Sequence, residues 1–267
     1  MSRVVLNETE PAAAIDAGPA AERLQAAMLA ALAAHTDEQG RVDYAGLAGS
    51  DRFAAAERAA RALNAAGLDT LAPRPARLAF WLNVYNALVL HGIVRLGVRT
   101  SVLRTWNFFG RVSYRVGGLV FSLDDIEHGV LRGNARRKLP PLRPFAHGDP
   151  RLALVLAPPD PRYHCAITCG AASCPAVGVY RADAVDAQLD LAARGFVNQE
   201  VTLAGPRVVC SRIFKWYRDD FEAAGGLAAF LLRHLDDGPV RAALVAGAVP
   251  CQRFLPYRWT LQHPPRS

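Results

Sequence analysis

The chain is almost devoid of lysine: of its 31 basic residues only Lys138 and Lys215 are not arginine. Beside abundant alanine, that bias reads as the codon usage of a GC-rich genome rather than as a device for holding polyanions. The net charge of +7 is dispersed, and only Arg132, Arg136, Arg137 and Lys138 cluster, without aromatic residues between them. A nucleic-acid partner is therefore not expected. No internal repeat is present, which excludes solenoids and propellers. No uninterrupted apolar run is long enough to cross a bilayer, because the most apolar segment, residues 78–96, carries Asn83, Asn86, His91 and Arg95; no membrane span is expected. Near the start, Glu8, Glu10 and Asp16 interrupt any apolar stretch that could act as an export signal, so the protein is expected to be cytoplasmic. Its five cysteines, Cys165, Cys169, Cys174, Cys210 and Cys251, make an odd count and include no Cys-x-x-Cys. Such usage argues for reduced thiols rather than a disulfide framework.

What is present is enough to build a core: 51% of residues are hydrophobic and 21% charged. Residues 1–20, rich in Ala, Pro and Glu, lack apolar periodicity and read as a disordered lead-in to a single domain over 21–262. The spacing of Leu24, Met28, Leu29 and Leu32 predicts a helix over about 20–35. Further helices are expected over 52–64 and 76–96, the latter apolar nearly all round and stopped by Gly97. A hairpin follows around Gly117 and Gly118. Ser122 then caps a helix whose apolar stripe is Leu123, Ile126 and Val130. A proline-rich loop covers 138–149, and the short apolar runs at 151–157 and 163–169 read as buried strands. After them come a helix over 182–197, a hairpin of VTLAG and RVVCS, and helices at 213–221 and 227–235. The fold class is α+β: a helical N-terminal part packed on a small antiparallel sheet flanked by helices around one core.

The segment from His164 to Pro175 carries most of the chemistry. A strand ends in Cys169-Gly170, and a turn of small residues leads to Cys174; free backbone N–H groups at such a turn can stabilise a thiolate and an oxyanion. Cys165 shares a face with Ile167 and belongs to the core. Cys169 and Cys174 are separated by four residues with no matching second pair, and Cys210 and Cys251 stand alone, so no metal and no other cofactor are expected. A nucleophilic thiol needs a base, and His128 is the first candidate. Glu127 borders the apolar stripe of its helix while His128 lies 100° further round, which leaves Asp124, four residues back, the easier orienter. His164 is the rival base, and Asp220 in the aromatic segment 214–221 could orient a histidine. Asn83 and Asn86 sit inside the most apolar helix, where buried amides either tie down a neighbouring loop or line a site.

These residues fall in blocks. GRVDYAGL (40–47), FWLNVYNAL (80–88), FSLDDIEHGVLR (121–132), DPRYHCAITCGAASCPAVGVY (160–180) and SRIFKWYRDDF (211–221) together resemble the family known as domain of unknown function 547. The resemblance implies that Asn86, Glu127, His128 and Cys169 belong to the family's motif. Plant relatives carry serine at the position matching Cys174 and do not require histidine at that of His164, which favours Cys169 and His128 as a pair. Many bacterial relatives are exported behind a signal sequence, from which this N-terminus departs. His precedes Cys by 41 residues, the reverse of papain-like enzymes and, by analogy, compatible with a permuted papain-like arrangement. The reading that follows is a cysteine-dependent hydrolase or acyltransferase acting on an amide, peptide or thioester bond in a small-molecule or peptide substrate. In it Cys169 is the nucleophile, His128 the base, Asn86 or N–H groups near Gly170 the oxyanion donors, and Glu127 a supporting carboxylate. The alternative is a non-catalytic interaction or scaffold domain, and a zinc or thiol redox protein stands third.

Overall fold

The computed structural model describes residues 2–8, 13–136 and 142–261. The lead-in is ordered where it is described. Strand β1 (Val4–Val5) runs parallel to β4, and Asn7 is buried, its side-chain amide donating to the carbonyls of Ala60 and Arg115 while its oxygen accepts from the N–H of Arg115. Two valines and one asparagine are too few to give a periodic signal, so the expected disorder is corrected for residues 2–8. Residues 1, 9–12 and 262 lie outside the described residues, as do Arg137 and Lys138 and the start of the expected 138–149 loop.

After β2 (Ile15–Asp16), helix α1 (Ala17–Ala33) starts on its cap Asp16. Helices α2 (Tyr44–Ala48) and α3 (Asp51–Ala62) follow, then β3 (Ala66–Gly67), parallel to β2. Helix α4 (Arg74–Arg95) is buried along 78–94, as side chains apolar nearly all round require. Helix α5 (Phe108–Arg111) leads into the hairpin β4 (Val112–Val116) and β5 (Leu119–Ser122). Ser122 and Asp125 then exchange backbone-to-side-chain bonds, Asp125 N–H to Ser122 Oγ at 3.2 Å and Ser122 N–H to Asp125 Oδ2 at 2.9 Å, and a π-helix, Asp125–Leu131, begins. Gly129 is required in it, because a Cβ there would meet the Phe145 ring at 2.4 Å.

The two strands expected at 151–157 and 163–169 are instead 3₁₀ turns, Pro150–Leu154 and Pro161–Cys165. Both begin with Asp-Pro-Arg. Asp149 and Asp160 cap the turn by accepting from the N–H of Arg151 and Arg162, proline fits the first turn, and each arginine folds back onto the capping aspartate. The capping chemistry outweighs the apolar composition.

The remainder is α6 (Val185–Glu200), the hairpin β6 (Val201–Ala204) and β7 (Arg207–Cys210), α7 (Ile213–Trp216), α8 (Arg218–Ala223), α9 (Leu227–His234), α10 (Pro239–Val245) and β8 (Arg253–Phe254). The fold is α+β, but among the described residues its sheets are three small ones, two of them mixing parallel and antiparallel pairs and one a single parallel pair, rather than one antiparallel sheet. Buried side chains form two clusters, one on α1, α3, α4 and the β4–β5 hairpin, the other on α6, β6, β7 and α7–α9. The parallel pairing of β7 with β8 brings Cys210 beside Cys251, and the two form a disulfide with 5.1 Å between Cα atoms. That corrects the expectation of reduced thiols throughout: residues 41 apart look unrelated in sequence, and only the late return of β8 joins them. Among the described residues, no helix is long and apolar enough to cross a membrane.

Candidate active site

A cavity of about 160 Å³ lies between α4, the π-helix, the segment 164–174, the aromatic helices α7 and α8, and the C-terminal arm 255–261. Its position follows from the two asparagines of α4. Asn86 donates to the carbonyl of Ala166 at 3.0 Å and accepts from the N–H of Thr168 at 2.9 Å. Three residues earlier, Asn83 clamps the backbone of Tyr180 in the same two-sided way, at 2.7 and 2.9 Å. Both side chains are fully buried. The expectation that Asn86 donates to an oxyanion is corrected: its amide holds the cysteine loop, and it does not line the cavity.

Between those ties the chain turns back on itself. Gly170 has φ of +78°, and a Cβ there would meet Ile93 of α4 at 2.3 Å, so glycine is required. The turn sets Cys169 Sγ 2.9 Å from Cys174 Sγ at the cavity wall. The backbone N–H of Cys169 donates to Cys174 Sγ at 3.0 Å, and the Tyr257 hydroxyl lies 3.3 Å from Cys174 Sγ and 3.4 Å from Cys169 Sγ. Burial raises the Cys174 thiol, but the thiol of Cys169, the Tyr257 hydroxyl, the Cys169 N–H and Thr168 outweigh it and bring it down to about 6. Cys169 moves the other way, raised by its bond to Cys174, by burial and by the charge on Cys174. Of the two sulfurs, Cys174 is the one favoured as thiolate, because the Cys169 N–H and the Tyr257 hydroxyl converge on it. Cys165 is buried in the second core cluster, where desolvation pushes its thiol far up.

Glu127 and His128 line the same cavity from the π-helix. Glu127 is buried and accepts from the hydroxyls of Tyr85 at 3.0 Å and Tyr217 at 2.6 Å. Burial raises its carboxyl, yet His128, Tyr217, His164 and Tyr85 hold it below the usual range, so it is a carboxylate. His128 Nδ1 stands 3.1 Å from Nη1 of Arg132. A guanidinium only donates, so Nδ1 accepts and the ring proton sits on Nε2. His164 is the same tautomer, held through its other nitrogen. Its Nε2 donates to Asp220 Oδ2 at 2.8 Å, burial lowers its pKa, and its Nδ1 is buried without a partner among the described residues. Asp220 is itself held by Arg132 through two bonds of 2.7 and 2.8 Å. The nitrogens left unbonded among the described residues are thus the Nε2–H of His128 and the Nδ1 lone pair of His164, the latter enclosed in the cavity wall.

Of the candidates from the sequence, Cys169, Cys174, Glu127, His128 and His164 meet at one cavity and Asn86 supports it from beneath. Neither histidine makes a hydrogen bond to a sulfur among the described residues. Asp124 also lines the cavity, but His128 Nδ1 is taken by Arg132, with Glu127 3.9 Å away. Sequence reasoning missed Arg132 as the link between the two histidines, and it missed Tyr257 and Trp259. These last two form an aromatic corner with Trp216, ring centroids 4.7 to 5.5 Å apart, over the thiols. The aromatic run PYRWT at 256–260 was the available signal. No group of three or more His, Cys, Asp and Glu able to hold a metal ion occurs among the described residues.

The sequence profile of the family described as "Protein of unknown function, DUF547" matches residues 68–197. Over that stretch the chain is similar to the DUF547 family. The matched stretch contains α4, the π-helix and both cysteines, whereas the blocks at 40–47 and 211–221 lie outside it. Tyr217, Asp220, Tyr257 and Trp259 thus complete the cavity of the DUF547-like segment from beyond its matched limits. No curated protein and no solved structure matches the chain.

Proposed function

We propose that this protein is a thiol-dependent acyl-transfer enzyme, a hydrolase or acyltransferase acting on a thioester, amide or peptide bond. The observation that carries the reading is the Cys174 sulfur, surrounded by donors at a cavity that His128 and His164 also line. The thiolate attacks the carbonyl carbon, and the developing oxyanion is met by the hydroxyl of Tyr257 and the Nε2–H of His128. The leaving group departs and leaves an acyl-thioester on Cys174. Water or a second acceptor then attacks that thioester, giving its proton to Nδ1 of His164, whose developing charge Asp220 offsets. Cys169 keeps its proton and holds the charge on its neighbour. A thioester suits the site best, because its leaving thiolate needs no proton. Cys174 and His164 take the roles that the sequence alone gives to Cys169 and His128, and Glu127 positions Tyr217 and Tyr85. We further infer an oxidising compartment rather than the cytoplasm, since a buried Cys210–Cys251 bond is the usage of such compartments.

Acylation by p-nitrophenyl acetate tests the reading. The reduced protein at pH 7 is expected to gain one acetyl group on Cys174, and Cys174→Ala to slow acetylation by roughly 100-fold or more with an unchanged circular dichroism spectrum. Acetylation no faster than that of free cysteine, or unaffected by Cys174→Ala, would overturn it.

A further inference from the structure

Two sulfurs held 2.9 Å apart are closer than ordinary non-bonded heavy atoms, about 3.5 to 4 Å for carbon. Acyl transfer asks of the second thiol only a hydrogen bond to its neighbour, not a contact at which the two sulfurs could join. Tyr257 approaches both sulfurs, the turn through Gly170 fixes the approach, and both side chains are only partly buried at the wall of the cavity. The two sulfurs also stand in different surroundings, since the backbone N–H of Cys169 donates to Cys174 Sγ and favours the thiolate there, while Cys169 is shifted the other way. That is the division of labour of an attacking and a resolving cysteine.

We infer that Cys169 and Cys174 exchange with a low-molecular-weight disulfide and close reversibly to a disulfide of their own, a redox chemistry at the same cavity. The inference rests on the Cys174 thiolate of the acyl-transfer reading but not on any acyl step. Cys174 attacks one sulfur of the small disulfide and expels the other as a thiolate, leaving a mixed disulfide. Cys169 then loses its proton to solvent and attacks Cys174 Sγ, expelling the second small thiolate. Two electrons and one proton have left the protein pair, and the small disulfide has become two thiolates, which take up that proton and a second one from solvent according to the pH. A cavity of about 160 Å³ admits a group about as large as a benzene ring, which points to a small molecule rather than a protein disulfide as the oxidant. In the closed form Cys174 has no thiolate to offer, so the exchange also sets whether acyl transfer can run.

The test treats the reduced full chain with oxidised glutathione at pH 7, quenches with acid, and maps alkylation and disulfides by peptide mass spectrometry. In the wild type, alkylation of Cys169 and Cys174 is expected to fall together by about tenfold or more, with a Cys169–Cys174 disulfide formed and reversed by dithiothreitol. Cys169→Ser is expected to stop at glutathione on Cys174. Glutathione retained on Cys174 in the wild type, or both thiols still alkylated, would overturn the inference. Acetylation of the reduced wild type by p-nitrophenyl acetate is read in parallel. If acetylation occurs without closure only the redox inference fails, and if closure occurs without acetylation only the acyl-transfer reading fails.

Discussion

Cys174 and Cys169 differ in what their sulfurs can accept. One backbone N–H, one thiol and one hydroxyl converge on Cys174, and each stabilises the charged form by the margin of a hydrogen bond to an ion, about 1.5 to 3 kcal/mol before geometry is considered. At 3.3 Å the Tyr257 hydroxyl lies at the long end of that range. Tyr257→Phe removes it while keeping the ring against Trp216 and Trp259, so the Cys174 pKa should rise by about one unit. The alkylation rate as a function of pH reads that shift; an unchanged midpoint would show that the hydroxyl does not support the thiolate. The histidines obey the same logic. Arg132 can only donate and Asp220 can only accept, so the proton positions on His128 and His164 follow from their neighbours and not from their exposure.

At the scale of elements, the site is a loop pinned to a helix. Helix α4 was legible from its length and apolar composition, and so were the hairpins; that Glu127 and His128 line one cavity was not, since adjacent residues of a regular helix diverge by about 100°. The polar residues within α4 were legible as ties or as site residues, and the structure resolves them as ties. Asn86→Ala would leave the carbonyl of Ala166 and the N–H of Thr168 buried without partners, each at about 1 to 3 kcal/mol. The expected result is a loss of about 2 to 5 kcal/mol in urea unfolding together with slower alkylation of Cys174, because the loop that positions the thiols is the loop released. A variant as stable as the wild type would refute the tie. The two Asp-Pro-Arg turns were misread as strands because apolar periodicity over five residues does not separate a buried strand from a short 3₁₀ turn. The repeated capping aspartate and N-terminal proline were the better signal.

For the whole molecule, what sequence could not supply was long-range pairing. Asp220 reaches His164 across 56 residues, Tyr217 reaches Glu127 across 90, and Tyr257 reaches Cys174 across 83. No local pattern encodes such distances, so the preference for Cys169 and His128 rested on the family resemblance, and the proposal of Cys174 and His164 rests instead on hydrogen bonds that reach across the molecule. The Cys210–Cys251 bond was hidden for the same reason. The two core clusters meet where the cysteine segment passes, with Cys165 in the second cluster and Ala166 and Ile167 in the first, so the thiols are held by both halves of the molecule. The central claim is that one thiolate, on Cys174, is ready at neutral pH. Its most direct test is the pH dependence of iodoacetamide alkylation of the reduced protein, resolved by site. Cys174 should label with a midpoint near pH 6, with Cys169 silent until well above the free-thiol value of about 8.5. A Cys174 midpoint at or above that value, or Cys169 labelling first, would contradict the account.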